Sequence, residues 1–297
     1  MRIVYIAGPL RGGSTVLERV LNSAPTVVAL GEFDHLWRIP AQEIKCSCCA
    51  GVGLYRCEYW SEILKHARIG EKELRYLWTL EHKLVRSHFL LKMGFSLENI
   101  DQHHEVKDFL AMQFSMFDSI ATLTGAKVLV DSSKSGPRAW LLATRKPVTI
   151  LHLHRSAVDV MSSWSHSKID PIWSTVMFRR GVMRVATDWA KVEQLIRLLG
   201  KQRPVLRLDY RDFVASPRAA IQRTFIGSLN EIVDTIQWHD GRTILPGDSY
   251  HSINGNSDRF AKGRIVVEPR RVAINHLKFT ERLAIATLGG CLNKIYR

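Results

Sequence analysis

The run Val4-Tyr5-Ile6-Ala7-Gly8-Pro9-Leu10-Arg11-Gly12-Gly13-Ser14-Thr15-Val16-Leu17 constrains the fold of this chain more than any other segment. A short apolar strand enters a glycine-bearing turn and leaves as a helix-forming run. Counting Ile3 to Ala7 in that run, β-rich apolar stretches recur at Lys127 to Val130, Val148 to Leu153 and Val205 to Leu208, with helical patterns between them. Because these stretches are continuously apolar rather than alternating, they predict strands buried on both faces, as in a parallel sheet flanked by helices. The expected fold class is therefore α/β. Ligands in such sheets bind beyond the carboxyl ends of the strands. The Gly8 loop, Asp131-Ser132-Ser133-Lys134, His154-Arg155-Ser156 and Asp209-Tyr210 are accordingly candidates for one site.

The loop itself has the glycine spacing of the nucleoside-triphosphate motif G-x-x-x-x-G-K-[ST], with Gly8, Gly13 and Thr15 in register. Ser14 stands where that motif has the lysine that reaches the β- and γ-phosphates. A cation lies inside the loop instead, as Arg11. Backbone amides and a helix start without that lysine still suit an anion. They suit ATP less well.

The segment from about Trp60 to Thr124 has helical spacing and many charges, and is expected to form a helical cap inserted between the first two of these strands. A further helical run from about Pro171 to Leu199 carries Arg179, Arg180 and Arg184, which read as a solvated basic face. The polar stretch from Asp248 to Arg264 reads as surface or active-site lid rather than core. The 297 residues are expected to form one domain, 1–297, with the insertion at about 60–124.

A formal charge of +14 points to an anionic ligand or a polyanion. The basic residues are dispersed, and no helix-turn-helix, RNA-binding or zinc-finger signature is present, so nucleic acid is not the expected partner. No apolar run approaches the roughly 20 residues of a membrane span. Met1-Arg2 leads straight into the first strand without the layout of a signal peptide, so the expected location is cytoplasmic. Cys46, Cys48, Cys49 and Cys57 cluster in one segment and Cys291 stands apart. The cluster lacks paired C-x-x-C spacing, so reduced, packed or surface thiols are expected ahead of structural zinc, and no metal ligand is assigned.

Several segments together resemble the sulfotransferases that use 3′-phosphoadenosine 5′-phosphosulfate (PAPS). The opening loop, then Leu21-Asn22-Ser23-Ala24-Pro25 and Gly31-Glu32, is similar to that family's G-x-P-R-S-G-T-T, L-L-x-x-h-P and, in the tyrosylprotein and related branches, G-E. His154-Arg155-Ser156-Ala157-Val158-Asp159-Val160-Met161-Ser162-Ser163 resembles its 3′-phosphate element, an arginine followed eight positions later by a serine. Cys46-Ser47-Cys48, Cys57 and Tyr59-Trp60 look like a C-x-C…C-x-[YF]-W segment of bacterial members. His251 to Phe260 looks like their H-x-x-x-G-N-P-x-R-F, with Ser257 in place of the proline. The matches run in patches from Ile3 to about Arg264.

The resemblance implies a P-loop-like sulfotransferase fold and transfer of a sulfuryl group from PAPS to an acceptor hydroxyl, with no metal required. It implies that Arg11, Gly12, Gly13, Ser14 and Thr15 hold the 5′-phosphate, with Arg11 or Lys134 steadying the bridging oxygen as the bond breaks. Arg155 and Ser163 then meet the 3′-phosphate, Arg259, Lys262 and Gly263 fit a basic loop closing over it, and Tyr210 touches the nucleotide. Glu32 is the candidate general base, with His35, His152, His154 and His251 as rivals. Trp60 reads as core. The acceptor class stays open among small molecule, glycan, lipid and peptide tyrosine. Two other readings stand beside this one. A P-loop kinase or NTPase would use Asp131, at the end of an apolar strand, as a magnesium ligand. A non-catalytic polyanion-binding module would use the basic surface.

Overall fold

A computed structural model of the chain describes residues 1–38, 45–48, 53–165, 180–227, 229–245, 251–254, 257–260, 263–269 and 277–296. Strand β1 (Arg2–Ala7) lies at the centre of a five-stranded parallel sheet ordered β2-β3-β1-β4-β5. The others are β2 (Val27–Gly31), β3 (Val128–Lys134), β4 (Val148–His154) and β5 (Val205–Asp209). Ile3, Tyr5 and Ala7 of β1 enter one core, and Val4 and Ile6 enter the other. Both faces are therefore dry, which is why the strand reads as an unbroken apolar run.

Helix α1 (Ser14–Leu21) returns the chain from β1 to β2. The expected helical insertion follows, between β2 and β3. It comprises a 3-10 turn at Phe33–Trp37 and helices α2 (Glu58–His66), α3 (Glu71–Leu84), α4 (Ser87–Lys92), α5 (Leu97–Gln102) and α6 (His104–Thr124). With α7 (Gly136–Ala143) it covers the Ile3 face of the sheet through fully buried Trp60, Phe109, Phe117 and Trp140. Helices α8 (Ala157–Ser165) and α9 (Val182–Leu199) come next. The Val4 face is covered by α1, α10 (Tyr210–Ala215), α11 (Pro217–Thr224) and α12 (Asn230–Val233), using Leu17, Phe213 and Ile221. Helix α13 (Phe279–Ile295) packs against α8 and α9 in a third cluster around Trp189, Met161 and Ile285. Among the described residues no helix is long and apolar enough to cross a membrane.

Three expectations are revised. Strand β3 runs through Lys134 rather than ending at Val130, because its polar residues find partners inside. Asp131 accepts from Arg138 at 3.0 Å with both side chains fully buried, Ser132 donates to Glu18, and Ser133 donates to Asp131. Burying such a pair is tolerable only because the charges meet. The basic helical run starts at Val182, and residues 171–179, including Arg179, lie outside the described residues. Within the Asp248–Arg264 stretch Ser252, Ile253 and Arg259 are core rather than lid, whereas Gly263 and Arg264 are exposed. Ser252 and Ile253 are fully buried, Ile253 donates to the Leu30 carbonyl at 2.8 Å and accepts from Glu32 N–H at 2.7 Å. Edge strand β2 has backbone groups that need partners, and this segment supplies them.

Candidate active site

The loop after β1 turns where only small residues fit. A Cβ on Gly8 would stand 2.6 Å from the Leu153 carbonyl oxygen. Gly13 has φ +99 and caps α1, and a Cβ there would fall 2.2 Å from the Tyr210 ring. Gly13 brings no side chain to cap α1, whose first-turn N–H groups have no partner within the helix. Ser14 and Thr15 are buried at that start. The arrangement presents amides, hydroxyls and the positive end of a helix dipole at one point, which is the chemistry of an anion site.

Parallel register gathers the other strand ends around it. Ala7 pairs with Lys134 on one side and His152 on the other, and His154 pairs with Asp209. Arg155, one residue beyond β4, donates from Nη1 to the Arg11 carbonyl at 2.8 Å, and its guanidinium lies 4.4 Å from the centre of the Tyr210 ring. Trp189 Nε1 donates to the Arg155 carbonyl at 2.8 Å, holding that backbone from α9. Arg155 Nε is buried without a hydrogen-bond partner among the described residues. Arg11, in a left-handed conformation at φ +62, stacks 4.3 Å from the Trp164 ring centre and donates to the Ser163 carbonyl. Thus Arg11, Gly13, Arg155, Ser163 and Tyr210 form one connected group.

Glu32 and Lys134 meet beside it. Lys134 Nζ donates to Glu32 Oε1 at 2.5 Å and to the Ser132 carbonyl at 2.9 Å. Glu32 Oε2 accepts from Asn254 Nδ2 at 2.9 Å, and His35 Nδ1 stands 3.5 Å away. Burial pushes the Glu32 carboxyl up, but the Lys134 ammonium and His35 outweigh it, and the net shift is below the usual carboxylate range. The carboxylate is therefore ionised and can accept a proton. Both residues line a cleft of about 340 Å³ that opens from Gly8 and is walled by Trp164, Trp189, Val185 and Leu195. Most of that wall belongs to α8 and α9, and the insertion contributes Asp34, His35 and Ser87.

The rival histidines have other partners. His152 and His154 each bond one oxygen of buried Glu193, at 3.1 and 3.2 Å. Burial raises the Glu193 carboxyl, yet its hydrogen bonds with the two rings bring it down to about 2. This triad stiffens the end of β4, next to Arg155. His35 is bonded to Asp34 at 3.1 Å and to Asn254 at 2.9 Å. His251 Nδ1 faces the thiols of Cys46, Cys48 and Cys57 at 3.6, 3.0 and 3.5 Å, and Cys49 lies outside the described residues. These four side chains, like His152, His154 and Glu193, hold their donor atoms close enough together to share a metal ion. Burial pushes the Cys46 thiol up to about 11.

Arg259 is buried and donates to the Lys45 carbonyl at 3.2 Å, and its 3-10 turn Ser257–Phe260 packs on α1. Gly263 is exposed in a left-handed turn with open space around its α-carbon, and Lys262 lies outside the described residues. Asn254 and Trp164 were missed by the sequence reading. Asn254 lay within the stretch read as a lid, and nothing in its spacing ties it to Glu32. Trp164 adjoins Ser163, but an aromatic in a helix reads as core.

No protein-family model matches the chain, and no curated protein does. Solved structures that are similar include the sulfotransferase domain from the Synechococcus PCC 7002 olefin synthase, at 16% identity over 97% of this chain and 93% of that one, TM-score 0.45. The sulfotransferase domain from the curacin biosynthetic pathway is 13% identical over 96% of each chain, TM-score 0.48. Sulfotransferase STF1 from Mycobacterium tuberculosis H37Rv is 18% identical over 80% of this chain and 71% of that one, TM-score 0.43. At that identity and superposition none assigns a role to a residue of this chain.

Proposed function

We infer that the chain transfers a sulfuryl group from PAPS to an acceptor hydroxyl. The observation that carries this reading is the Glu32–Lys134 pair, 2.5 Å apart, at the mouth of a phosphate-type loop that lacks the nucleotide-loop lysine and has Arg155 bound to its backbone. The residue resemblance described above supports it independently. The loop amides, Ser14 and Thr15 suit a 5′-phosphate. Arg155, whose buried Nε has no hydrogen-bond partner among the described residues, and Ser163 suit a separate 3′-phosphate. PAPS supplies a sulfuryl group that passes in line between two oxygens, with charge growing on the departing phosphate.

Of the cations that line the cleft, Lys134, Arg38, Arg180 and Lys191, it is Lys134 that bonds Glu32, whereas Arg11 is engaged with α8. In the resting site Lys134 serves Glu32. As the ammonium turns toward the growing phosphate charge, the Coulombic pull on Glu32 falls while burial remains, so its proton affinity rises as the acceptor hydroxyl must be deprotonated. The aromatic and apolar wall fits an acceptor whose hydroxyl is carried on an apolar or aromatic body. A kinase reading is disfavoured because Asp131, its would-be magnesium ligand, is fully buried and paired with Arg138.

Calorimetry with 3′-phosphoadenosine 5′-phosphate and a radiolabelled-donor screen over hydroxyl acceptors test this. Arg155→Ala is expected to weaken nucleotide binding on the order of 10-fold or more, as charge-assisted contacts are worth about 1.5–3 kcal/mol. Glu32→Gln should abolish turnover and spare nucleotide binding. A magnesium-dependent thermal shift with ATP and none with the 3′,5′-bisphosphate would overturn the assignment.

A further inference from the structure

Outside the cleft, one cluster has a geometry the proposed reaction does not use. Cys46 and Cys48 lie on the segment 45–48, Cys57 stands at the N-terminal cap of α2, and His251 comes from the far part of the chain. The Cys46–Cys48 and Cys48–Cys57 sulfurs are 3.2 and 3.7 Å apart, and His251 Nδ1 is 3.0 to 3.6 Å from all three. All four donor atoms lie within 4.8 Å of one another. These sulfur separations are far beyond the roughly 2.05 Å of a disulfide. They are near the values a tetrahedron sets around zinc, about 3.8 Å between thiolates and about 3.5 Å from thiolate to imidazole, given Zn–S of about 2.3 Å and Zn–N of about 2.0 Å.

The surroundings hold this geometry. Tyr59 stacks on the His251 ring at 4.1 Å between centroids and 16° between planes. A bridge between Lys45 and Gly53 closes the chain between the cysteines. Ser47 and Ser252 exchange two bonds, Ser252 N–H to Ser47 Oγ at 2.8 Å and Ser47 N–H to the Ser252 carbonyl at 3.3 Å.

We propose that Cys46, Cys48, Cys57 and His251 bind one zinc ion that fastens the 251–254 segment to the 45–57 region. Three soft thiolates and an imidazole select a tetrahedral d10 ion, and four protein ligands leave no open position, so the ion is structural. Its consequence for the cleft is indirect. Three residues after His251, Asn254 Nδ2 bonds Glu32 Oε2, so the metal holds the strap that positions that contact. The binding site stands without the sulfuryl-transfer reading, and only this last consequence rests on it.

The full chain, purified without added chelator, should carry about one zinc by elemental analysis. Cobalt(II) exchanged into the metal-stripped protein should show intense tetrahedral ligand-field bands and thiolate charge transfer. Cys48→Ser, at an exposed ligand, and His251→Ala should each weaken retention by more than the roughly 10–100-fold that loss of an outer-sphere partner costs. Cys291→Ser, on α13, should leave it unchanged. A wild-type chain that takes up neither ion tetrahedrally at stoichiometric level overturns the site, as do non-reducing mass spectra showing a disulfide among Cys46, Cys48 and Cys57, or unchanged retention in both ligand variants. Zinc content is read without donor or acceptor, so its failure and the failure of the transferase assignment are separate results.

Discussion

Lys134 and Glu32 are both largely withdrawn from solvent and form an ion pair, and Lys134 is the largest lowering influence on the Glu32 carboxyl. A carboxyl whose folded pKa lies below its unfolded value stabilises the fold above the unfolded pKa. That stabilisation disappears as pH falls through the folded value. Removing Lys134 removes the largest lowering influence and leaves burial and Asp34, which raise it, against His35, which lowers it. In Lys134→Met, a carboxyl-carbon NMR titration should therefore find Glu32 well above its wild-type position, toward neutral pH. An unmoved titration would mean that the pair does not form in solution. Lys134 itself was legible beforehand as a candidate cation, because it follows an apolar strand. Its partner was legible only by resemblance, since a glutamate after a short strand is ordinarily a solvated one. Asn254, completing the group, lies 222 positions from Glu32, and no local pattern spans such a distance.

At the scale of elements, β2 illustrates how a short strand becomes obligatory. Gly31 has φ +74, and a Cβ on it would stand 2.2 Å from Ser252 Oγ and 2.3 Å from the Ile253 carbonyl oxygen. Gly125, which ends α6 at φ +70, has open space around it. Gly31→Ala should therefore cost about 3 kcal/mol, combining backbone strain with displacement of the 251–254 strap. Gly125→Ala should cost only about 1 kcal/mol, from strain alone. Denaturant midpoints at unchanged slope distinguish them, and equal losses would mean that the strap does not press on β2. The expected strands were recoverable because burial on both faces writes a continuous apolar run. Val27–Gly31 was not among them, as five residues between a helix end and a 3-10 turn leave too little pattern to separate from a loop. The polar end of β3 was misjudged for a different reason. Asp131 reads as a strand terminator until Arg138, one turn into α7, is seen to neutralise it.

Over the whole molecule, the charge of +14 is the property that the sequence states most plainly and that any single contact uses least. Its role is long-range. A positive field concentrates an anionic nucleotide near the loop and is screened as the Debye length falls to about 8 Å at physiological salt. The association rate of 3′-phosphoadenosine 5′-phosphate, by stopped flow, should drop on the order of 10-fold from low to physiological ionic strength while dissociation changes less. A salt-independent rate would show that the basic residues do not steer. What the sequence could not convey at this scale was closure: which distant segment covers which edge. The bridge between Gly31 and Ile253 carries that lesson into the chain's synthesis. At roughly 5–20 residues per second, the 222 positions between Glu32 and Asn254 take about 10–40 s to translate. Throughout that interval β2 has been made and the segment that covers its outer side has not, so an unpaired strand edge is exposed to neighbours until residues 251–254 follow.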